Sequence, residues 1–414
     1  MKTEPGIRRF DVPTTILRGG GARHRLPDLV REMGGSRVLL VTDPGVVQLG
    51  AVAEVVKSLK AAGVSVAIFD QVQPDPTDEN VAAGVAALGT QRADLIVAFG
   101  GGSPIDVAKV IAIRPANPAP LPDFMGLHKI RRAGLPLIAV PTTAGTGSEA
   151  TKVAVITDTA RHVKMMMLSA PLLPRAAIVD YELSLSMPRG LTAAVGVDTL
   201  THGIEAYVSR QANALADPPA LQCVTLAARH LRAAWTEPSN RGAREGMMLA
   251  ATLGGMAFSN SSVCLVHGMS RPIGAVFHLP HGLSNAILLP TVARYSVQAA
   301  PARYAAIARA CGCAGPATPD ADACATLITW LEDLNRALEL PRLSQCRGVT
   351  REVFEASVEK MATDALASGS PGNNPRVPTA TEIVALYREA WGATRLSRGD
   401  NNRTTSDLSA FPVF

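Results

Sequence analysis

The chain has 414 residues, long for a single hydrophobic core, so two domains are expected. Hydrophobic residues at 47% and charged residues at 18% give the balance of a soluble globular protein. A formal net charge of +5, with no dense Lys/Arg block and no interleaved aromatic residues, argues against a nucleic-acid partner. No uninterrupted apolar stretch reaches membrane-spanning length, and the polar N-terminus lacks the apolar run of a signal peptide. The expectation is a cytoplasmic protein with no membrane partner. Six cysteines, at 223, 264, 311, 313, 324 and 346, form no CxxC pair and read as reduced thiols, some of them core fillers.

In chain order, residues 37–42 read as a buried strand, 50–62 as a helix, 64–69 as a second strand and 77–91 as a second helix. Residues 94–99 form a third strand, followed at once by glycines and a helix, and 136–140 a fourth. Runs of aliphatic residues without alternation suit a parallel sheet covered on both faces, the doubly wound α/β pattern. Near residue 188 the character changes to Ala-, Leu- and Met-rich segments of helical length, at 191–208, 219–234, 242–259 and 350–363. The expected organisation is an α/β dinucleotide-binding domain over 1–188, an all-helical metal-binding domain over 189–395 and a polar tail over 396–414.

Two glycine- and hydroxyl-rich loops follow strands. GGGSPID at 100–106 sits between a strand and a helix, where backbone N–H groups can approach a phosphate at a helix N-terminus. Ser103 reads as the N-cap, Pro104 as the first helical residue and Asp106 as closing a capping pair. The plain alternative is a capped tight turn, and the GxGxxG fingerprint is absent. PTTAGTGSE at 141–149 follows the fourth strand, at the strand end where open α/β sheets bind ligands. Asp43 ends the first strand, where it can accept from an adenosine ribose and repel a 2′-phosphate, or simply form a turn before Pro44. Lys164, in a basic-apolar stretch, is a cofactor contact or an ordinary surface lysine.

Asp198 and His202 are four residues apart in a predicted helix, so both face one side. With His267 and His281 they offer one carboxylate and three imidazoles, a donor set suited to iron(II), zinc or manganese. Each histidine alone could be a core residue, spacing does not show that they converge, and His278 competes with His281.

These segments together resemble the iron-containing alcohol dehydrogenase family. The carriers are GGGSPID at 100–106, PTTAGTGSE at 141–149, GVDTLTHGIEAY at 196–207, VHGM at 266–269, LPHG at 279–282 and NPR at 374–376. The resemblance runs from about residue 10 to 393. It implies a dehydroquinate synthase-like two-domain fold with the active site between the domains, and an assembly of identical subunits, a homodimer or larger homo-oligomer. It places metal ligands at Asp198, His202, His267 and His281. It puts the pyrophosphate loop at Gly101, Gly102, Ser103 and Asp106, the second cofactor loop at Thr142, Thr143 and Ser148, and NAD preference at Asp43. Phe258 falls near the substrate pocket. One departure stands out: where many members carry a histidine four residues after the third ligand, this chain has Arg271. A permanent guanidinium replaces a titratable imidazole, which suits a substrate carboxylate or an ion pair with the cofactor or a nearby acid.

The expected activity is reversible NAD-linked oxidation of a small alcohol to an aldehyde or ketone, with iron(II), or else zinc or manganese, polarising the substrate oxygen. NADP is the less favoured cofactor. His278 is the candidate proton shuttle, and Arg271 the residue beside the reaction. The alternatives are a hydroxy-acid dehydrogenase anchored by Arg271 and a dehydroquinate-synthase-like lyase that uses NAD transiently.

Overall fold

The computed structural model describes residues 9–161 and 163–392, which fall into two compact units. One unit runs to Ser186 and also holds Ser239–Ser259; the other holds Met187–Pro238 and the chain from Asn260. The expected tail at 396–414 lies outside the described residues. No single helix among those residues is long and apolar enough to cross a membrane. All six cysteines are free thiols.

The first stretch of chain gives β1 (Thr15–Arg18), α1 (Leu26–Glu32), β2 (Arg37–Val41), α2 (Pro44–Gln48), α3 (Ala51–Ala61), β3 (Ser65–Phe69) and α4 (Asp78–Gln91). It continues with β4 (Leu95–Gly100), α5 (Gly102–Ile113), β5 (Gly126–Leu127), β6 (Leu137–Pro141), β7 (Val153–Asp158), β8 (Val163–Leu168) and β9 (Ala176–Val179). The remaining helices are α6 (Arg189–Val208), α7 (Asp217–Thr236), α8 (Arg241–Ser261), α9 (Leu265–Phe277), α10 (His281–Ser296), α11 (Pro301–Ala310), α12 (Asp320–Ala337), α13 (Arg351–Ala367) and α14 (Ala380–Gly392).

Six parallel strands form the main sheet in the order β1-β9-β6-β4-β2-β3. Successive residues of a strand face opposite sides. Leu39, Val41, Ile96 and Ala98 join one apolar cluster with α4 and α5. Val38, Leu40, Leu95 and Val97 join another with Leu26 and Leu29 of α1 and Val52, Val55 and Leu59 of α3. Helices on both faces explain why the buried positions of the central strands are apolar on both sides. A three-stranded sheet, β5-β8-β7, adds one antiparallel pair. The sequence expectation did not include it. Only one face of β7 and β8 is fully buried, with Ala154, Ile156, Met165 and Met167 inward, and methionine gives a weak strand signal.

The expected helix at 50–62 is α3, with Gly50 as its N-cap at a φ of 86°; the short α2 before it was not expected. Helix α8, expected in the helical domain, belongs to the α/β unit. Gly147 takes a left-handed φ of 59°, and a Cβ there would come within 2.4 Å of the Ala251 carbonyl oxygen. Thr252 Oγ1 donates to Glu149 Oε1 at 2.6 Å, and the Lys152 N–H donates to Ser259 Oγ at 3.1 Å. The backbone of this helix is thus pressed against the 141–149 loop, a contact distant in sequence that local periodicity cannot reveal.

The second unit is all helical among its described residues, and α6 is buried along nearly its whole length. Gly282, in the first turn of α10, lies so close to α6 that a Cβ would sit 2.8 Å from the Ala194 carbonyl oxygen.

Candidate functional site

Four side chains of the second unit draw together on α6, α9 and α10. Asp198 and His202 lie one turn apart on α6, with Asp198 Oδ1 3.8 Å from His202 Nε2. His267 enters from the first turn of α9, its Nε2 3.5 Å from the same oxygen. His281 opens α10. One ligand atom each from Asp198, His267 and His281 lie within 4.8 Å of one another. The His202 and His267 rings stack with centroids 4.7 Å apart, and the His267 and His281 rings are 5.2 Å apart. Asp198, His202 and His267 are buried, whereas His281 keeps a solvent-exposed side.

The donor chemistry fits a divalent ion. Two atoms sharing an ion at roughly 2.1 Å in tetrahedral array lie about 3.4 Å apart, close to the spacing of His267 from Asp198. Asn285, one turn along α10 from His281, sends its Nδ2 to the middle of the set. That atom is 2.6 Å from Asp198 Oδ1, 3.2 Å from His267 Nε2 and 3.1 Å from His281 Nε2. Its Oδ1 is buried with no hydrogen-bond partner among the described residues. Three electron-rich atoms converging on one amide group is an arrangement that a cation satisfies better than two N–H donors do.

The charges respond accordingly. Burial pushes the Asp198 carboxyl up, but the surrounding imidazoles outweigh it and hold the acid well below the usual carboxylate range. Burial lowers His267, yet its bonds to Asp198 and Glu205 raise it to about 9. Burial and the nearby positive charges of His267, Arg271 and His202 hold His281 down to about 3, against the attraction of Asp198.

Other expected residues near this group fare differently. Arg271 lies one turn beyond His267 on α9, and its Nη1 donates to Ser370 Oγ at 3.0 Å. His278 does not join the donors. It is exposed and caps α9 in the left-handed conformation, φ 54°. That placement sets it apart from the converging ligand atoms. Phe258 is half-buried on α8, in the other unit.

The first unit brings its two loops together at the ends of β4 and β6. The Thr142 N–H donates to the Gly100 carbonyl oxygen at 3.0 Å, and the Thr143 side chain lies against Gly101. Helix α5 starts earlier than expected: Gly101 is its N-cap, Gly102 its first residue, and Pro104 its third. No side chain caps it. Asp106 turns away instead. Its Oδ1 accepts from Ser148 Oγ at 2.7 Å and its Oδ2 from the Val155 N–H at 2.9 Å. The N–H groups of Gly102 and Ser103 therefore stand at the positive end of α5 without a side-chain acceptor.

The reason Asp106 turns is Lys109, which the sequence reading passed over. It is fully buried, and its Nζ donates to Ser148 Oγ at 2.7 Å, Thr151 Oγ1 at 2.9 Å and the Val153 carbonyl at 2.6 Å, with Asp106 Oδ1 3.7 Å away. Burial lowers Lys109 to about 8 and raises Asp106, while their mutual attraction opposes both shifts. Asp106 and Ser148, expected on the cofactor, thus bind each other and tie the loops together.

Asp43 caps α2, its Oδ1 accepting from the Val46 N–H at 2.9 Å, while its Oδ2 would lie 3.3 Å from a Cβ on Gly100. The turn role is met, and the carboxylate lies beside the glycine loop. Lys164 is paired with Asp75 at 2.6 Å. Beside Thr142 and Phe99 lies a groove of about 310 Å³ whose wall includes Arg23, Glu54 and Glu182. The sequence expectation named none of these three. Glu205 and Asn285 were also missed, although one signal was readable: Asp198, His202 and Glu205 follow the i, i+4, i+7 spacing of one helix face.

Comparison with known proteins gives a consistent picture. The family model described as iron-containing alcohol dehydrogenase matches residues 13–181, and that of the C-terminal region of the Fe-containing alcohol dehydrogenase family matches residues 192–391. The chain is 39% identical to 1,3-propanediol dehydrogenase of Klebsiella pneumoniae over 388 residues, 93% of this chain and 99% of that protein. It is 36% identical to NAD-dependent methanol dehydrogenase of Bacillus methanolicus, over 93% of this chain and all of that one (100%). A crystal structure of 1,3-propanediol oxidoreductase superposes with a TM-score of 0.89 at 38% identity, covering 93% of this chain and 100% of that chain.

Proposed function

The chain belongs to the iron-containing alcohol dehydrogenase family and is a metal-dependent, NAD-linked alcohol dehydrogenase; from that premise we propose how its own residues divide the work. Asp198, His202, His267 and His281 hold the divalent ion. Iron(II) is the family's metal, and zinc or manganese suits the same donors. The observation that carries this reading is the convergence of Asp198, His267 and His281, whose ligand atoms all lie within 4.8 Å of one another. An ion held there supplies positive charge that polarises the C–O group of the substrate.

NAD, bound by the first unit, supplies the hydride acceptor. The N–H groups of Gly101, Gly102 and Ser103 receive its pyrophosphate at the positive end of α5. Thr142 and Thr143 offer hydroxyls from the adjoining loop, and the groove beside Thr142 takes the adenosine half. The Asp43 carboxylate favours NAD by repelling a 2′-phosphate. Asp106, Ser148 and Lys109 keep the two loops in register. With NAD bound, the nicotinamide would accept the carbon-bound hydrogen as hydride, and the hydroxyl proton would pass to solvent. His278 takes no part in this scheme, and Lys164 stays with Asp75. Phe258 remains a candidate wall of the substrate pocket.

Arg271 favours a second reading, in which the substrate carries an anionic group such as a carboxylate. It follows His267 by one turn, and its charge is felt at His281. Other small alcohols and aldehydes remain within the first reading. The same proposal has the enzyme working as a homodimer in the cytoplasm, in keeping with its free thiols.

Anaerobic purification with measurement of bound metal, chelation and metal replacement tests the proposal. NADH formation should be followed on diols, straight-chain alcohols and hydroxy acids. Stoichiometric metal and an activity lost on chelation and restored by iron(II) or zinc are expected. Equal turnover after complete metal removal refutes the metal centre.

A further inference from the structure

Glu205 is outside the donor set, yet its carboxylate touches one donor and the backbone that carries it. It follows Asp198 by seven residues on α6, the same face, and is only 2% exposed. Its Oε2 lies 2.6 Å from His267 Nδ1 and accepts from the Cys264 N–H at 2.9 Å. Its Oε1 accepts from the Val266 N–H at 2.6 Å. Cys264 is the N-cap of α9 and supplies no side-chain cap of its own. The carboxylate therefore does the capping from a neighbouring helix, and negative charge is favoured at that end of the helix.

We infer that Glu205 is a positioning residue of the metal centre, which fixes both the start of α9 and the face of the His267 ring before any ion arrives. With Nδ1–H donated to Glu205, the neutral ring carries its lone pair on Nε2, the atom 3.5 Å from Asp198 Oδ1. Glutamine at 205 keeps the size but brings an NH2 group to a place where all three neighbours donate. The inference rests on the metal reading above.

Zinc affinity of the full chain, measured by competition with a chromophoric chelator, should fall roughly 10–100-fold in Glu205→Gln. The cobalt(II) spectrum should change, and kcat should fall with the KM for NAD preserved. In a His267→Ala background the added Glu205→Gln should change zinc affinity by less than about threefold, because the ring it positions is gone. An equal loss in that background means that Glu205 acts through the fold alone, and overturns the inference. So does a single variant that binds zinc as well as the parent. A parent that takes up no zinc overturns the metal centre itself and this inference with it. Should Glu205→Gln fail to fold, nitrogen-15 imidazole shifts of the zinc-loaded parent decide the matter. Protonation of His267 at Nδ1 supports the inference, and the opposite tautomer overturns it.

Discussion

Replacing Lys109 by methionine keeps the apolar stem and removes only the ammonium. Three hydrogen bonds disappear, to Ser148, Thr151 and the Val153 carbonyl, together with the partner of the buried Asp106 carboxylate. Charged hydrogen bonds contribute about 1.5–3 kcal/mol each, and breaking one half of a buried pair costs about 3–5 kcal/mol. Two effects offset this. The variant no longer desolvates an ammonium, and Asp106, already raised by burial, can take up a proton. A net loss of about 3 kcal/mol follows, which at a urea slope of about 2–3 kcal/mol per molar lowers the midpoint by about 1 M. Ser148 and Asp106 also lose the group that joins the 141–149 loop to α5, so the KM for NAD should rise about tenfold or more. Bound metal should be unchanged, because its proposed donors lie in the other unit. Urea unfolding, NAD kinetics and metal content together test this. A destabilisation below about 1 kcal/mol with an unchanged KM for NAD would falsify the loop-clamp role. Adding Asp106→Leu should recover part of the lost stability, since the stranded acid goes with it.

Arg271→His should lower kcat/KM on hydroxy acids about tenfold or more relative to neutral alcohols, the scale of a lost charged hydrogen bond. An unchanged ratio of the two substrate classes removes the anion-anchor reading. In the metal-free protein His267 is raised from 6.5 to about 9, so its contribution to stability is complete below pH 6.5 and is lost as the pH rises through about 9. Metal binding needs the deprotonated ring, so between these limits affinity should rise about tenfold or more per pH unit with release of at least one proton. His281, held near 3, and Asp198, held below the usual carboxylate range, do not titrate in that window. Calorimetry in buffers of different ionisation enthalpy measures the proton count, and a count near zero at pH 7.5 contradicts the assignment.

Local signals in the sequence were enough for the central strands and the helices around them. Strands β2, β4 and β6 are apolar on both faces because helices cover both, and that leaves a mark on every residue. Strands β7 and β8 were hidden because one face is only half-buried and methionines of β8 lie on the other. The donor types at 198, 202, 267 and 281 were legible as chemistry, and the family motifs gave their order. Their convergence was not legible, since it depends on Gly282 letting α10 approach α6 and on Glu205 turning His267 from a different helix.

Sequence alone therefore determined the residue types that can hold an ion and an anion, because those are properties of side chains and helix ends. Tertiary structure alone decided which of them meet. It sent Asp106 and Ser148 to a buried lysine, left His278 exposed at a helix end, placed α8 with the α/β unit, and set Glu205 and Asn285 against the donor group. For the buried side chains the physical reason is the same: a buried polar group takes the partner that packing brings within about 3 Å, however far away that partner lies along the chain.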